Sequence, residues 1–300
     1  MDLALTSDHR AILDALDSLA KPYETVPIGD HRFALASATL DRELAEGGFL
    51  DVAFDPDLGT VAAALIVERL ARLPFATEAA MNALVRPLLG DVRGPICLVE
   101  GKSSRPVRFL CEGATVVIVG DDVKSFTARP GQLRAEPYAL YGYPVATLLE
   151  AKPTTTHDVA PEDIRTRWRI ALAAEAAGLL AAALESTTTY VTDRQQFGRS
   201  LATFQALRHR LAEAQVRTNG VYWLAMKAAA TLDTGDAAVA ALHAQESARA
   251  CVYDFHQFLG AMGMTLEHPL HLWTYRLKAL ASELGGRGAN ALAAAEALWD

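Results

Sequence analysis

The sequence predicts a mostly α-helical protein with one small β unit set between two helical segments. Three observations predict it. Apolar residues recur at helical spacing up to about Leu89. From Gly90 to about Thr156 they give way to short β-prone runs punctuated by glycine and proline. At Pro161 the helical period returns and lasts to the end of the 300 residues. The expected division is 1–89 helical, 90–157 a small β unit, and 158–300 a helical bundle.

In the first part, Asp8–Lys21 places Ile12, Leu13, Leu16 and Leu19 on one stripe, with Ser7 or Asp8 as N-cap. Leu40–Gly47 is a short helix stopped at Gly47-Gly48. Thr60–Leu73 is apolar on most sides, which suits a buried helix, and Pro74 ends it. Glu78–Arg86 is a further short helix, broken at Pro87. In the middle part, Ile96–Glu100, Val107–Cys111, Thr115–Val119 and Val123–Thr127 read as strands, and Tyr143–Leu149 adds another. The last part begins with Pro161–Tyr190, whose acidic first turn (Glu162, Asp163) matches the helix dipole. Phe204–Leu232, Asp236–Leu259, Leu270–Leu284 and Ala289–Trp299 complete the bundle.

Composition narrows the function classes. The chain is 51% hydrophobic and 21% charged, an ordinary balance for a globular protein. A net charge of −8 disfavours nucleic acid, which is met by a basic face. Three scattered cysteines suit neither a disulfide framework nor a cysteine zinc site and point to the cytoplasm. Acid precedes any apolar run at the N-terminus, so no signal peptide is expected, and no run approaches the length of an uncharged membrane span.

Several motifs carry little. Gly101-Lys102-Ser103 lacks the earlier glycine of a phosphate-binding loop and reads as a turn. There is no GxSxG elbow and no ExxH pair. His268 and His271, three apart with no third ligand, read as hydrogen-bonded histidines at a helix start, so no metal is expected. Arg165, Arg167 and Arg169 splay around a helix as solvated charges, or meet the phosphate of a coenzyme A.

Two loops carry more. Arg194-Gln195-Gln196-Phe197-Gly198, followed by Phe204-Gln205, joins two long helices and offers a guanidinium, an aromatic ring and a flexible glycine. A guanidinium pairs bidentately with a pyrophosphate and a phenyl ring stacks on a base. Some fifty residues later Gln257-Phe258-Leu259-Gly260-Ala261-Met262-Gly263 ends another helix, with an amide and glycine backbone able to bond a diphosphate or ribose.

With these residues the chain resembles the acyl-CoA dehydrogenases, flavoproteins with an N-terminal helical domain, a middle β domain and a C-terminal four-helix bundle. Tyr190–Gly198 with Phe204-Gln205 is similar to the family signature at the second bundle helix. Gln257–Gly263, followed by Glu267-His268-Pro269 and Arg276, is similar to its later glycine motif. Arg42–Gly48 and Ala62–Arg72 also resemble the family. The resemblance implies FAD as cofactor, with Arg194, Phe197, Gln205, Gln257, Gly260 and Gly263 gripping its adenine and pyrophosphate end across an oligomer interface. It implies α,β-dehydrogenation of an acyl-CoA, with a carboxylate taking the α proton and an electron-transfer flavoprotein or similar acceptor downstream.

Two departures from the family matter. The β unit is short and lacks the flavin-ring tracts. The family's two base positions fall on Leu284 and near Trp168, neither a carboxylate. Glu283 is one residue off, a rotation of about 100° on a helix, and Glu267 is the other candidate base. The resemblance therefore implies the short subunit of a heterotetrameric dehydrogenase of the kind used on steroid-derived CoA thioesters. A longer partner would supply the flavin cradle and share or supply the base, and the reduced β unit would leave room for a bulky acyl group. The alternatives are a self-sufficient homo-oligomer using Glu267 or Glu283, and a non-catalytic structural or regulatory paralogue.

Overall fold

The computed structural model describes residues 5–26, 30, 32–90, 92, 94–101 and 105–299. Lys102 and Ser103 of the Gly101 turn lie outside them. The first helical part holds α1 (Ser7–Ala20), the two-residue strand β1 (Leu35–Ala36), α2 (Ala38–Glu46), α3 (Gly59–Ala71), β2 (Phe75–Ala76) and α4 (Ala79–Leu84). Thr6, rather than Ser7 or Asp8, caps α1. Its hydroxyl accepts from the His9 backbone, and the His9 ring returns a bond to the Thr6 backbone. The sequence signal was ambiguous because any of three adjacent polar residues can cap. Ser37 caps α2 in the same way.

The middle part contains β3 (Ile96–Glu100), β4 (Pro106–Arg108), β5 (Thr115–Val119), β6 (Val123–Thr127), β7 (Leu133–Ala135), β8 (Val145–Leu148) and β9 (Thr155–His157). They form a four-stranded sheet ordered β3-β5-β6-β9, in which only β3 and β5 are parallel, and a three-stranded antiparallel sheet ordered β4-β8-β7. Along β3, Ile96 and Leu98 join the main core, whereas Cys97 and Val99 join a second small core with Val116, Phe126 and Ala146. Both faces of β3 and β5 are thus buried, which is why these strands read as unbroken apolar runs. The expected strand Val107–Cys111 stops at Arg108, because Phe109 turns to φ +57°. The three-residue strands β7 and β9 are held by pairing to β8 and β6, which no local pattern reveals.

The bundle comprises α5 (Pro161–Asp193), the hairpin β10 (Gln195–Gln196) and β11 (Arg199–Ser200), α6 (Gln205–Thr231), α7 (Thr234–Leu259), α8 (Leu270–Leu280) and α9 (Gly286–Trp299). One core runs from α1 to α8 through α3, α5 and α7. Helix α5 is at its centre. It holds no uncharged run of membrane-spanning length, Glu175 interrupting it, but by length and composition it is apolar enough to cross a membrane; 83% of its most apolar window is buried inside the protein. Helix α8 ends four residues before the expected Leu284, because Leu284 adopts φ +51°. Gly285 and Gly286 continue the left-handed backbone at φ +71° and +72°. This three-residue reversal delivers the chain from α8 to α9.

Arg276 joins the first part to the bundle. Its guanidinium is fully buried and donates to the carbonyls of Leu272, Phe75 and Leu73. The arginines of α5 are not free charges either. Arg169 is buried and bonds Glu162 and Asn290, Arg167 donates to Thr60, and Arg165 pairs with Glu100.

Candidate functional site

Two large cavities meet at the reversal between α8 and α9. The first, about 1020 Å³, lies between α7, α8 and the start of α9. Arg249, Tyr253 and Gln257 recur every four residues and so present one face of α7 to it. Lys278 and Arg287 face them from α8 and α9. Arg249 has no acidic partner among the described residues. Arg287 is paired with Glu246, and the Lys278 ammonium rests 4.0 Å from the Tyr275 ring centre. Gly260 opens onto the same cavity at φ +59°, with no atom within 4 Å of where a Cβ would stand. The cavity is therefore apolar along Val252 and Tyr275 and cationic at its mouth.

The second cavity, about 600 Å³, lies between β3, β4, α5 and the reversal. It shares Arg105, Ser282 and Gly285 with the first. Its inner wall is a closed polar cluster. Arg108, from β4, donates Nε to Glu283 Oε1 at 2.6 Å, Nη2 to Glu283 Oε2 at 3.3 Å and Nη1 to Glu175 Oε2 at 2.8 Å. Trp168 Nε1 donates to Glu283 Oε2 at 2.8 Å, and the Tyr143 hydroxyl donates to Glu175 Oε1 at 2.6 Å. The Arg108 guanidinium also lies 4.7 Å from the Tyr143 ring centre. Burial works to depress the pKa of Arg108, but Glu175, Glu283 and Tyr143 outweigh it and hold the guanidinium well above its ordinary value. The Tyr143 hydroxyl is raised by burial and by the Glu175 charge.

Beneath this cluster a recess of about 30 Å³ reaches Glu78, at the start of α4. Asp41 accepts the Glu78 backbone N–H at 3.4 Å. Burial pushes the Asp41 carboxyl up to about 6, the backbone bond opposing it, and burial together with the Asp41 charge pushes Glu78 up to about 7. Both groups therefore bind protons more tightly folded than unfolded. Stability from this pair is greatest below about pH 4 and is lost as pH rises through about 6 to 7. Glu78→Gln is expected to raise the melting temperature by on the order of 3 °C at pH 8 and to leave it nearly unchanged at pH 4. Thermal melts at the two pH values check this, and equal shifts at both would contradict it.

The residues expected from the sequence are distributed as follows. Gln257 and Gly260 line the first cavity. Gly263 does not, being buried with its carbonyl accepting from His256 Nδ1 at 2.7 Å. Arg194, Phe197 and Gln205 cluster at the far end of α5, on and beside the β10–β11 hairpin. Phe197 sits at its tip with φ +54° and 85% of its surface exposed, its ring edge-on to Phe204. Gln205 bonds His209 at 2.9 Å, and Arg194 borders a surface cleft with Tyr190 and His268. One chain thus presents the two groups at separate places. Glu267 lies in the exposed loop before α8, outside that helix's first turn, and lines none of the cavities described above. His268 and His271 bond the backbone around the start of α8, with His268 Nδ1 accepting from Leu270 N and His271 Nδ1 meeting His268 O.

Glu283 differs from expectation in a useful way. The helical rotation argument does not apply to it, because the backbone leaves the helix before Leu284. The two positions expected to lack a carboxylate, Leu284 and the vicinity of Trp168, come together in space, and Glu283, the residue beside Leu284, bonds Trp168 there. Sequence reasoning missed Arg108, Tyr143 and Glu175. A signal for Glu175 was present, since it is the one charged residue between Ile170 and Leu184, and a lone acid in such a run needs a buried partner.

Residues 166–296 match the profile of the acyl-CoA dehydrogenase C-terminal domain. Acyl-CoA dehydrogenase IpdE2 of Mycolicibacterium smegmatis is 28% identical over 268 residues, covering 78% of this chain and 86% of that one. A chain of the ChsE4–ChsE5 complex from Mycobacterium tuberculosis superposes with a TM-score of 0.78 at 16% identity, over 97% of both chains. A chain of the Tcur3481–Tcur3483 steroid ACAD (G363A variant) superposes with a TM-score of 0.75 at 22% identity, over 97% of this chain and 98% of that one. Sequence likeness along most of the chain and a shared order of helical, β and bundle parts lead to one conclusion. The chain belongs to the acyl-CoA dehydrogenase family of FAD-dependent flavoproteins.

Proposed function

We propose that this chain is one subunit of a hetero-oligomeric acyl-CoA dehydrogenase acting on a bulky, steroid-derived CoA thioester. In this reading it contributes the adenine and pyrophosphate side of an FAD site, and a longer partner subunit contributes the flavin cradle and the base. The observation that carries it is the engagement of Glu283. Both of its oxygens already accept hydrogen bonds from Arg108 and Trp168, and its side chain is only 17% exposed. A proton arriving from an acyl α carbon would have to displace a paired guanidinium. Glu267, outside both cavities, cannot reach an acyl group seated there. The names of the two superposed assemblies, each a pair of different subunits and one described as a steroid ACAD, support the same reading.

The residues of the first cavity fit a dinucleotide diphosphate. Gly260 leaves backbone open where a Cβ would intrude, Gln257 offers an amide, and Arg249 and Lys278 supply the charge that a pyrophosphate requires. Tyr253, exposed on the same helix face, gives an adenine a ring to stack on. Arg194, Phe197 and Gln205, carried outward on the hairpin, are placed to reach a neighbouring subunit. When bound, FAD supplies the acceptor for the hydride that leaves the acyl β carbon. This chain's part is to hold and orient the dinucleotide and to close the inner wall of the second cavity against water.

Purified alone, the chain is expected to be colourless, and co-expressed with a longer acyl-CoA dehydrogenase it should yield a yellow complex. Gln257→Ala should weaken flavin retention by about tenfold, the worth of one hydrogen bond to a charged group. Flavin bands in the lone chain, or full flavin content in the Gln257→Ala complex, would overturn the reading. The position of Glu283 on the second cavity favours one alternative, a homo-oligomer using it as base. Glu283→Gln keeps an acceptor for Trp168, and undiminished turnover in that variant removes the alternative.

A further inference from the structure

Gln245, on α7, is buried at the wall of the first cavity and belongs to a chain of hydrogen bonds that ends on Glu283. Its amide nitrogen donates to the carbonyls of Leu280 and Glu283, each at 3.1 Å. Its carbonyl accepts from Asn290 Nδ2 at 3.0 Å, and Asn290 Oδ1 accepts from Arg169 Nε at 3.2 Å. Asn290 Nδ2 also reaches the Gly286 carbonyl at 3.3 Å. The polarity of this chain is set from one end. A guanidinium only donates, so Asn290 must turn its oxygen to Arg169 and its nitrogen to Gln245. Gln245 must then present its nitrogen to the two carbonyls. Neither amide can flip without losing every bond it makes.

What the chain holds is the least regular backbone of the region. Leu284 at φ +51° stands in left-handed backbone, where a side chain crowds the following carbonyl, and glycines at positive φ follow it. Such a turn keeps its place only when its surroundings determine it. Arg105 Nη1 holds the Ser282 carbonyl at 3.0 Å, and Gln245 holds that of Glu283. The same turn walls both cavities, and on its far side the Glu283 carboxylate meets Arg108 and Trp168.

We infer that Gln245 is a positioning residue. Its amide, oriented by Asn290 and Arg169, fixes the Glu283 turn, so the wall of the dinucleotide cavity sets where Glu283 stands between Arg108 and Trp168. The bearing on the reaction rests on the functional reading above, whereas the placement of Glu283 does not. Two substitutions test it. Gln245→Met removes both donors at similar volume. Asn290→Asp keeps an acceptor for Arg169 but withdraws the donor to Gln245, so the Gln245 amide must turn over and present its oxygen to the carbonyls of Leu280 and Glu283.

The readout is the Trp168 component of the fluorescence, obtained by subtracting the spectrum of the same protein carrying Trp168→Phe. Both substitutions should shift that component to the red and increase its quenching by acrylamide, although neither residue touches Trp168. A purely structural role would lower the melting temperature and leave the component at its parental value, which would overturn the inference. Should Gln245→Met fail to fold, Asn290→Asp decides alone, because its pairing with Arg169 is retained. Calorimetric titration with ADP separates the two readings. If ADP fails to bind the assembled protein after its flavin has been stripped, while Trp168 moves in the variants, the dinucleotide reading of the cavity falls and the positioning role stands. If ADP binds and Trp168 is unmoved in the variants, the positioning role falls alone.

Discussion

Arg108→Met is expected to cost about 3–5 kcal/mol of folding stability, the usual penalty for removing one partner from a buried ion cluster. The substitution keeps most of the side-chain volume, so the loss is electrostatic rather than a cavity effect. It leaves Glu175 with the Tyr143 hydroxyl and Glu283 with the Trp168 N–H, and neither with an ion-pair partner, Arg276 acting on Glu175 only from a distance. Two poorly compensated carboxylates would then share one enclosed wall. A buried carboxyl is tolerated when neutral, so the deficit should shrink as the pH is lowered and widen as it rises. Denaturant unfolding of the parent and variant at pH 5 and pH 8 measures both the size and its direction with pH. A loss below about 1 kcal/mol would mean that water reaches the cluster and screens it. The same variant frees Glu283 from its guanidinium, so any gain of flavin reduction by an acyl-CoA in the lone chain would return Glu283 to the list of bases.

The second large effect is expected at Gly178, where α5 crosses α3. A Cβ at this position would stand 2.0 Å from the Glu68 carbonyl oxygen and 2.8 Å from the Ala71 Cβ. Alanine favours a helix interior over glycine by about 1 kcal/mol, so Gly178→Ala would stabilise an isolated α5. Here the obstacle is backbone, which cannot swing aside as a long side chain can. Helix α3 would have to move away, carrying with it the packing of Ile66, Leu70 and Ala71. Overpacking of this kind costs roughly 1–3 kcal/mol and sometimes more. We expect the upper end, a drop of about 5–10 °C in melting temperature by calorimetry. No change in melting temperature would overturn this expectation.

Both effects involve α5, and they show what a residue pattern can and cannot disclose. The alanine-rich run around Gly178 announced a closely packed helix, and its length and start were legible to within a few residues. That Gly178 itself is the point of closest approach was not, since the run contains many small residues and only the crossing selects one of them. Glu175 was legible as an anomaly but not as a partner. Arg108 lies 67 residues away from it and Glu283 lies 175 from Arg108, distances at which no spacing rule operates.

The expectation for Glu283 shows the same limit. A rotation of about 100° per residue is a property of helices, and it misled here because α8 ends at Leu280. No local signal forced that end. The glycines at 285 and 286 were visible, but a leucine in left-handed backbone is sustained by Gln245 and Arg105 from outside the segment.

By itself the sequence determined the three-part order, the placement of nearly every long helix and central strand, and the two loops that mark the family. These depend on periodicity and turn chemistry, which act within a window of a few residues. The tertiary structure alone decided which polar groups meet. It buried Arg169 and Arg276, withdrew Gly263 from the cavity, separated Arg194 from Gln257 within one chain, and enclosed Glu283 between Arg108 and Trp168. The physical reason is that burying charge is tolerable only beside a compensating partner. Partners of that kind are brought together by packing from distant parts of the chain.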